Sequence, residues 1–346
     1  MVEQLKPIKI GGGKLEAFPE RIRAWRAGEN PGPIAIEVSV IDGCNHNCSH
    51  CGPQFFSPYD KTKQMDRNLF LRFLEDFHSM GGKEVYFAGS GEPLLHPEFA
   101  TFMQHGRQLG LDMTFSSNGI PLTAKRIPTI LPYTTWARFS VNGGDQKTYH
   151  QIHRGKVEDF NRLKENLTEA MAYRKAHDLP VKLAMQMVTY DDNWRSLPDL
   201  VHLFQDLNMD RLIVRNRINR DGQKNAVTED IFPILENAAQ DPRVEVRWPS
   251  FPKPGESLQI APADWQRCDG IQFRTNMDFD GNLNTCFRHW YRDSGYGNIH
   301  QHDFKTIWNS PKKQDVFELV GSGCDKKDCA KWCQVSRDNK FLDPLE

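Results

Sequence analysis

Apolar and polar residues follow two periods along the first two thirds of the chain. Six short segments have the composition of β-strands, and one of them alternates cleanly. In that segment Leu183 and Met185 share one face, whereas Ala184 and Gln186 share the other. The predicted strands are 34–40, 84–90, 111–117, 136–142, 181–188 and 211–216.

Segments with helical spacing separate these strands. Asp66 is the predicted N-cap of a helix with one apolar stripe, a second stripe begins at Phe160, and 194–207 has a third. Strand–helix repetition implies parallel strands joined by right-handed crossovers. Six units, against the eight of a closed barrel, predict an α/β fold with a partial (β/α)6 TIM-like barrel. In such folds the chemistry lies at the C-terminal ends of the strands.

The periodic pattern stops at a proline-rich connector near residue 250. We therefore expect an N-terminal extension (1–33), a barrel core (34–250) and a small C-terminal domain (251–346). The last region has weak apolar periodicity, so we expect bound metal to organise it.

Composition excludes several classes of protein. The 346 residues carry 44 basic and 45 acidic side chains, a formal charge of −1, which argues against nucleic-acid binding. With 11% aromatic residues and almost no net charge, the chain does not resemble a disordered one. We find no apolar run that predicts a membrane span and no signal peptide, and therefore expect a cytoplasmic protein.

Eight cysteines are the most informative residues. Disulfides are rare in a reducing compartment, where clustered cysteines are more often metal ligands or catalytic thiols. Three of them crowd one segment directly after the first predicted strand: Cys44, Cys48 and Cys51. Three thiolates can hold one face of an iron–sulfur cube and leave an iron open for chemistry. Zinc, with His46 or His50 as a fourth ligand, is the alternative.

The motif C-x3-C-x2-C at this position resembles the signature of the radical SAM superfamily. The segment from Gly89 to Glu92 resembles the family's GGEP motif, which binds the amino group of S-adenosylmethionine (SAM). Three further segments resemble the family's TNG, SLDG and RG motifs, with Asn142 in place of the usual Asp. The resemblance assigns to SAM binding Gly89, Ser90, Gly91, Glu92, Ser117, Asn118, Ser140, Asn142, Arg154 and Gln186, the last as a SAM or substrate contact.

The resemblance implies an enzyme that holds a [4Fe–4S] cluster and SAM. A reductant such as flavodoxin or ferredoxin delivers one electron, SAM breaks, and the resulting 5′-deoxyadenosyl radical abstracts hydrogen from the substrate. The protein positions the cofactor and the substrate and excludes water from the site.

The second cysteine group resembles the SPASM and twitch regions of this superfamily. We expect one auxiliary [4Fe–4S] cluster, held by Cys268, Cys286, Cys329 and Cys333. Cys324 is then an alternative ligand, an idle thiol, or a hydrogen donor to a substrate radical. Zinc is again the alternative metal.

Arg215 and Arg217 share one face of the sixth predicted strand, where they bind a carboxylate or phosphate or else lie on a solvated edge. The main hypothesis is oxidation or epimerisation of a polar small molecule, sugar-like or aminosugar-like. One alternative is a peptide-modifying radical SAM/SPASM maturase. A second is an iron–sulfur electron-transfer protein without catalysis. We expect neither nucleic acid nor membrane as a partner.

Overall fold

The computed structural model describes residues 15–51, 60, 62–217, 230–251, 265, 267–286, 295–323 and 335–343. All six predicted strands are present and pair in parallel, in the order of the sequence. They form the partial barrel that the alternating pattern predicts. These strands are β1 (Ala35–Val38), β2 (Glu84–Phe87), β3 (Asp112–Ser117), β4 (Trp136–Ser140), β5 (Lys182–Thr189) and β6 (Arg211–Asn216).

Helices cover the outer face of this sheet because each presents one apolar stripe to it. The helix after β1 begins at Asp66, whose carboxylate accepts the N–H of Leu69 at 2.8 Å, as the sequence predicts. The helices of the described residues are α1 (Pro19–Arg26), α2 (Arg67–Ser79), α3 (Phe99–Gln108), α4 (Ile127–Ile130), α5 (Gln146–His153), α6 (Asp159–Ala176), α7 (Leu197–Asp206), α8 (Ile231–Ala238), α9 (Phe304–Trp308), α10 (Pro311–Gly323) and α11 (Ser336–Leu342).

The two faces of the sheet differ in chemistry. On the outer face Phe87, Phe115 and Phe139 are fully buried against the helices. On the inner face the strand register places Arg138 beside Ser116 and Ala184. Residues in register across parallel strands share a face, so the inner face, which we call the lumen, carries polar side chains.

The sheet is larger than the sequence predicts. A seventh strand, β7 (Val244–Val246), extends one edge, and β8 (Arg274–Met277), β9 (Asn282–Asn284) and β10 (Gly295–Asn298) extend the other. β8 pairs in parallel with β1, and β8–β10 form an antiparallel meander. These strands have three or four residues each, and β8–β10 consist mostly of polar residues and glycine, so no apolar run marks them in the sequence.

Aromatic residues attach the C-terminal region to the barrel. The Phe304 ring lies 5.1 Å from the ring of Phe73 on α2, and Trp308 is fully buried beside Phe317. The sequence predicts a region organised by metal, but an apolar core also holds it. None of the helices in the described part of the chain is long and apolar enough to cross a membrane.

Candidate active site

The loop after β1 carries three half-buried thiols within eight residues. Burial raises the pKa of Cys44 to about 12, and the Glu92 carboxylate and the Cys51 thiol add to the increase. Burial and the charges of Cys44 and Cys51 likewise raise the pKa of Cys48. Cys44 and Cys48 therefore lie in an environment that disfavours their thiolates until a positive charge is bound. This donor set fits an iron–sulfur cluster, whose irons supply that charge.

Two N–H groups point at the sulfur of Cys44. The backbone N–H of His46 lies 3.4 Å from Cys44 Sγ, and the side-chain amide of Asn118 lies 3.9 Å from it. The same amide donates to Asn45 Oδ1 at 2.8 Å, which orients it. Hydrogen bonds to a ligating sulfur are one way in which a protein tunes a cluster.

The end of α5 supports the cysteine loop. The backbone N–H groups of Asn47 and Ser49 donate to the carbonyls of His153 at 3.1 Å and Ile152 at 3.0 Å. The His153 ring is buried and stacks on Tyr149 with the ring centroids 4.1 Å apart. The position of the loop is therefore set by a helix of the barrel.

A zinc site can also be tested against the structure. Ligand atoms of His46, Cys48 and His153 lie within 4.8 Å of one another. His153, however, accepts the backbone N–H of Asn142 at Nε2 at 3.1 Å, so its Nδ1 carries the ring proton and cannot bind a metal ion. A zinc ion there would leave the other two cysteines of the loop without a role, so the donors fit an iron–sulfur cluster better.

The glycine-rich turn after β2 approaches the cysteine loop closely. Gly89 and Gly91 have φ of 95° and 68°. A Cβ atom on Gly91 would lie 2.1 Å from the carbonyl oxygen of Ile41. Ser90 Oγ donates to Asp42 Oδ1 at 2.5 Å, which joins the two loops. The Gly91 position therefore requires glycine because of a contact within the protein.

Glu92 joins the loops that follow β2 and β3. Its carboxylate accepts the backbone N–H of Leu94 at 3.1 Å and that of Asn118 at 2.7 Å, and the Ser117 hydroxyl also bonds to it. Burial raises the pKa of Glu92 to about 7, against the opposing effects of these bonds and of Arg126. Glu92 thus shapes the site, and its contact with SAM stays a prediction.

The next two strands bring three further predicted residues to the same end of the barrel. Ser140 and Gln186 are in register on β4 and β5. Asn142 follows β4, and its Oδ1 accepts the backbone N–H of Val188 at 2.9 Å. The Asn142 backbone N–H also donates to the His153 ring at 3.1 Å, so His153 supports both this predicted SAM-binding residue and the cysteine loop.

The predicted arginines lie near the cysteine loop. Arg154 ends α5 in a left-handed conformation with φ of 51°, and its side chain is exposed. The Arg217 guanidinium lies 5.6 Å from the centre of the Tyr190 ring, which stacks on His50 with centroids 3.5 Å apart. Burial, then Arg217 and Arg154, lower the pKa of His50 to about 3. Arg215 lies on β6 with an exposed side chain.

The two described cysteines of the second group flank the β8–β9 hairpin. Cys268 precedes β8 and Cys286 follows β9, and the two strands are antiparallel. The Asn339 amide donates to Cys268 Sγ at 3.3 Å. Cys324, Cys329 and Cys333 lie outside the described residues, so the predicted assignment of four ligands stays a prediction.

Sequence reasoning missed several side chains of this site. His153 stands inside the motif that singled out Arg154, but its contact with Cys48 depends on the fold. Arg138 interrupts the apolar composition of a predicted strand, and Tyr190 follows one. For Arg138, the signal that the sequence offered was a charged residue within a predicted strand.

Comparison with known families agrees with this geometry. A family model described as the radical SAM superfamily matches residues 38–204. A second model, described as an iron–sulfur cluster-binding domain and named SPASM, matches residues 268–335. The two matches contain the two cysteine groups.

Known relatives are distant. The chain is 22% identical over 310 residues to the tungsten-containing aldehyde ferredoxin oxidoreductase cofactor-modifying protein of Pyrococcus furiosus, covering 80% of this chain and 81% of that protein. It is 24% identical over 198 residues to the PqqA peptide cyclase of Bradyrhizobium diazoefficiens, covering 53% of this chain and 46% of the cyclase.

The fold resembles that of SuiB from Streptococcus suis bound to its precursor peptide SuiA. The TM-score is 0.66 at 12% identity, over 93% of this chain and 76% of SuiB. The radical SAM domain binds a [4Fe–4S] cluster with SAM, and the SPASM domain binds auxiliary iron–sulfur clusters. The motifs, the converging loops and the two family matches lead to one conclusion: the chain is a radical SAM superfamily enzyme with a C-terminal SPASM region.

Proposed function

We propose that this enzyme cleaves SAM reductively and uses the 5′-deoxyadenosyl radical to abstract hydrogen from a polar small molecule, sugar-like or aminosugar-like, in the cytoplasm. The observation that carries the proposal is the convergence of Cys44, Glu92, Asn118 and Asn142 on the C-terminal ends of β1–β4, at the mouth of a polar lumen. When bound, the cluster supplies one electron and SAM supplies the radical.

The residues of the chain position these groups. Cys44, Cys48 and Cys51 bind the cluster, and the N–H groups that face Cys44 stabilise its thiolate. The turn from Gly89 to Gly91 brings the backbone of one loop against the other. The half-buried, polar inner face of β2–β4 then offers hydrogen bonds to a polar substrate.

The fate of the substrate radical follows from where the next electron or hydrogen goes. If the auxiliary cluster accepts one electron and a proton leaves, the substrate is oxidised. If the thiol of Cys324 returns a hydrogen atom to the opposite face, the substrate is epimerised. A flavodoxin or ferredoxin supplies the first electron.

The name of the relative with the widest coverage favours a small molecule, since that protein modifies a cofactor. A peptide-modifying maturase is the second candidate, because the chain resembles a peptide cyclase and the fold of a peptide-bound enzyme. A gene for a short precursor peptide beside this gene would favour the peptide; genes for glycan or antibiotic synthesis would favour the small molecule.

The test is anaerobic cleavage of SAM by dithionite-reduced, reconstituted protein, with 5′-deoxyadenosine measured by chromatography. We expect cleavage by the wild type and its loss in Cys44→Ala. Wild-type protein that carries its clusters and leaves SAM intact would instead support an electron-transfer protein. Once a substrate is known, Cys324→Ala should still cleave SAM but form no product if Cys324 is the hydrogen donor.

A further inference from the structure

Three guanidinium groups in or beside the lumen have no carboxylate partner among the residues that the structure describes. They belong to Arg138 on β4, Arg215 on β6 and Arg217 just beyond β6. The next arginines along this side of the sheet, Arg211 and Arg247, both pair with Glu245. Arg211 and Arg247 are therefore compensated within the protein, whereas the first three arginines are not compensated by a described carboxylate.

Arg138 is held in place without being neutralised. Its Nε–H donates to Ser116 Oγ at 3.0 Å, and a terminal N–H donates to the hydroxyl of Tyr86. The guanidinium also lies 5.7 Å from the centre of the Tyr86 ring and 5.6 Å from that of Trp136. Arg138 has further N–H donors, so an oriented guanidinium remains available to a ligand.

Arg215 shares the lumen with Arg138. Val188 is in register with Arg215, and Ala184, on the same face of β5 as Val188, is in register with Arg138. Burial and the positive charge of Arg138 lower the pKa of Arg215. The Arg215 side chain is nevertheless solvent-accessible. It therefore lies on a solvent-accessible part of the inner face, next to a like charge.

Two tyrosines connect these arginines into one group. Arg138 and Arg215 both act on the pKa of Tyr86, which burial raises. Arg215 and Arg217 both act on the pKa of Tyr190, which burial also raises. We call these five side chains the lumen arginine group.

The group begins at the cysteine loop and extends into the barrel. The Tyr190 ring contacts both the Arg217 guanidinium and the His50 ring, which stands between Cys48 and Cys51. A ligand bound by these arginines would therefore have the rest of its atoms beside the predicted site of radical formation.

Like charges in a partly buried space repel one another unless a counter-charge is bound. Glu37, in register with Tyr86, and Glu84, on the same face of β2 as Tyr86, supply two carboxylates on this side of the lumen. The three guanidiniums still exceed them by one. Guanidinium groups bind phosphate and carboxylate oxygens through paired hydrogen bonds, so an anionic ligand would satisfy both charge and donors.

We propose that the lumen arginine group binds a phosphate or carboxylate group of the substrate, which makes the substrate an anionic small molecule. This inference rests on the proposed function, because it takes the lumen as the place where hydrogen is abstracted. Arg138, which the sequence did not single out, is the residue that distinguishes this site from a solvated strand edge.

The test uses the reconstituted holoenzyme saturated with SAM and two probes, inorganic pyrophosphate and succinate, titrated by calorimetry. We expect one of them to bind the wild type, and the tighter probe names the anionic group. Arg138→Gln and Arg215→Gln should each weaken that binding about tenfold or more, since each removes charge-assisted hydrogen bonds. Arg211→Gln is the matched control, because Arg211 lies on the same strand as Arg215 but pairs with Glu245.

Bound iron and thermal unfolding are compared first, and Arg215→Lys replaces any Gln variant that does not fold. Lysine keeps the positive charge but cannot form the paired hydrogen bonds of a guanidinium, so binding of the anion should still weaken. If neither probe binds the wild type, or if a probe that binds the wild type binds all arginine variants equally, the anion site is wrong. Wild-type SAM cleavage separates the two proposals: cleavage without anion binding overturns only the anion site, whereas anion binding without cleavage overturns only the proposed function.

Discussion

The Nδ1 atom of His153 lies 3.5 Å from the Sγ atom of Cys48. The backbone N–H of Asn142 donates to the other ring nitrogen, Nε2, at 3.1 Å. Burial lowers the pKa of His153 well below its usual value, so the ring is neutral. A neutral ring that accepts at Nε2 carries its proton on Nδ1. His153 therefore donates a hydrogen bond to the Cys48 sulfur and links that ligand to the loop after β4.

This bond predicts an effect on the reduction potential of the cluster. An N–H donor favours the more negative, reduced state, so His153→Leu should lower the midpoint potential of the SAM-binding cluster. A bond that differs by about 1 kcal/mol between the two states shifts a one-electron potential by roughly 40 mV. Redox titration followed by electron paramagnetic resonance measures it.

His153→Asn provides the rescue, because its amide nitrogen can occupy the position of Nδ1. His78→Gln, an exposed position on α2, provides the control, and the auxiliary cluster serves as an internal reference. An unchanged midpoint potential in His153→Leu would show that the contact does not tune the cluster.

Alanine should destabilise the protein more at Gly91 than at Gly110, a glycine that also has a positive φ. Gly91→Ala places a Cβ 2.1 Å from Ile41 O, whereas Gly110, with φ of 84°, has open space around its Cβ. Both substitutions incur the strain of a positive φ, about 1 kcal/mol, and only the first adds a collision with backbone. We expect a clearly larger fall in the thermal unfolding temperature for Gly91→Ala, with loss of iron. Equal effects of the two substitutions would contradict the packing argument.

Glu92 should make the protein less stable as pH rises towards 8. Its pKa is raised to about 7 in the folded state, so the folded protein binds a proton that the unfolded chain has already lost. Stability from this group is complete below the ordinary pKa of 4.5 and is lost as pH rises from there through 7. Between pH 6 and 8 the loss is about 1 kcal/mol.

Glu92→Gln cannot titrate, so the difference in unfolding free energy between variant and wild type should change by that amount across this range. Anaerobic urea titrations at several pH values measure it. Glu165→Gln, which removes an exposed carboxylate on α6, controls for the loss of a charge. Parallel pH profiles for wild type and Glu92→Gln would refute the assignment.

Iron content should separate the two cysteine groups. Wild-type protein purified without oxygen should hold about eight iron atoms per chain, as two four-iron clusters require. Cys44→Ala and Cys268→Ala should each lose about four, but only the first should lose the cluster that responds spectroscopically to SAM. Four irons together with bound zinc in the wild type would revive the zinc interpretation of one group.

The strands of the barrel and the cysteine loop could be predicted from local sequence, because alternation in β5 and ligand spacing after β1 are properties of short segments. The contacts that shape the site could not. Glu92 and Asn118 are 26 residues apart, and His153 and Cys48 are 105 residues apart, so no local pattern connects them. Strands β8–β10 were missed because they consist mostly of polar residues and glycine, and β8 pairs with β1 only once the sheet exists.

The sequence alone thus determined the strand–helix repeat, the outer apolar stripes and the three-cysteine motif, since each depends on spacing along the chain. Only the tertiary structure decided which polar groups meet. The proton position on His153 and the gathering of Arg138 with Arg215 depend on how neighbouring strands are in register. That register is set by the packing of the whole sheet against its helices, which no single segment encodes.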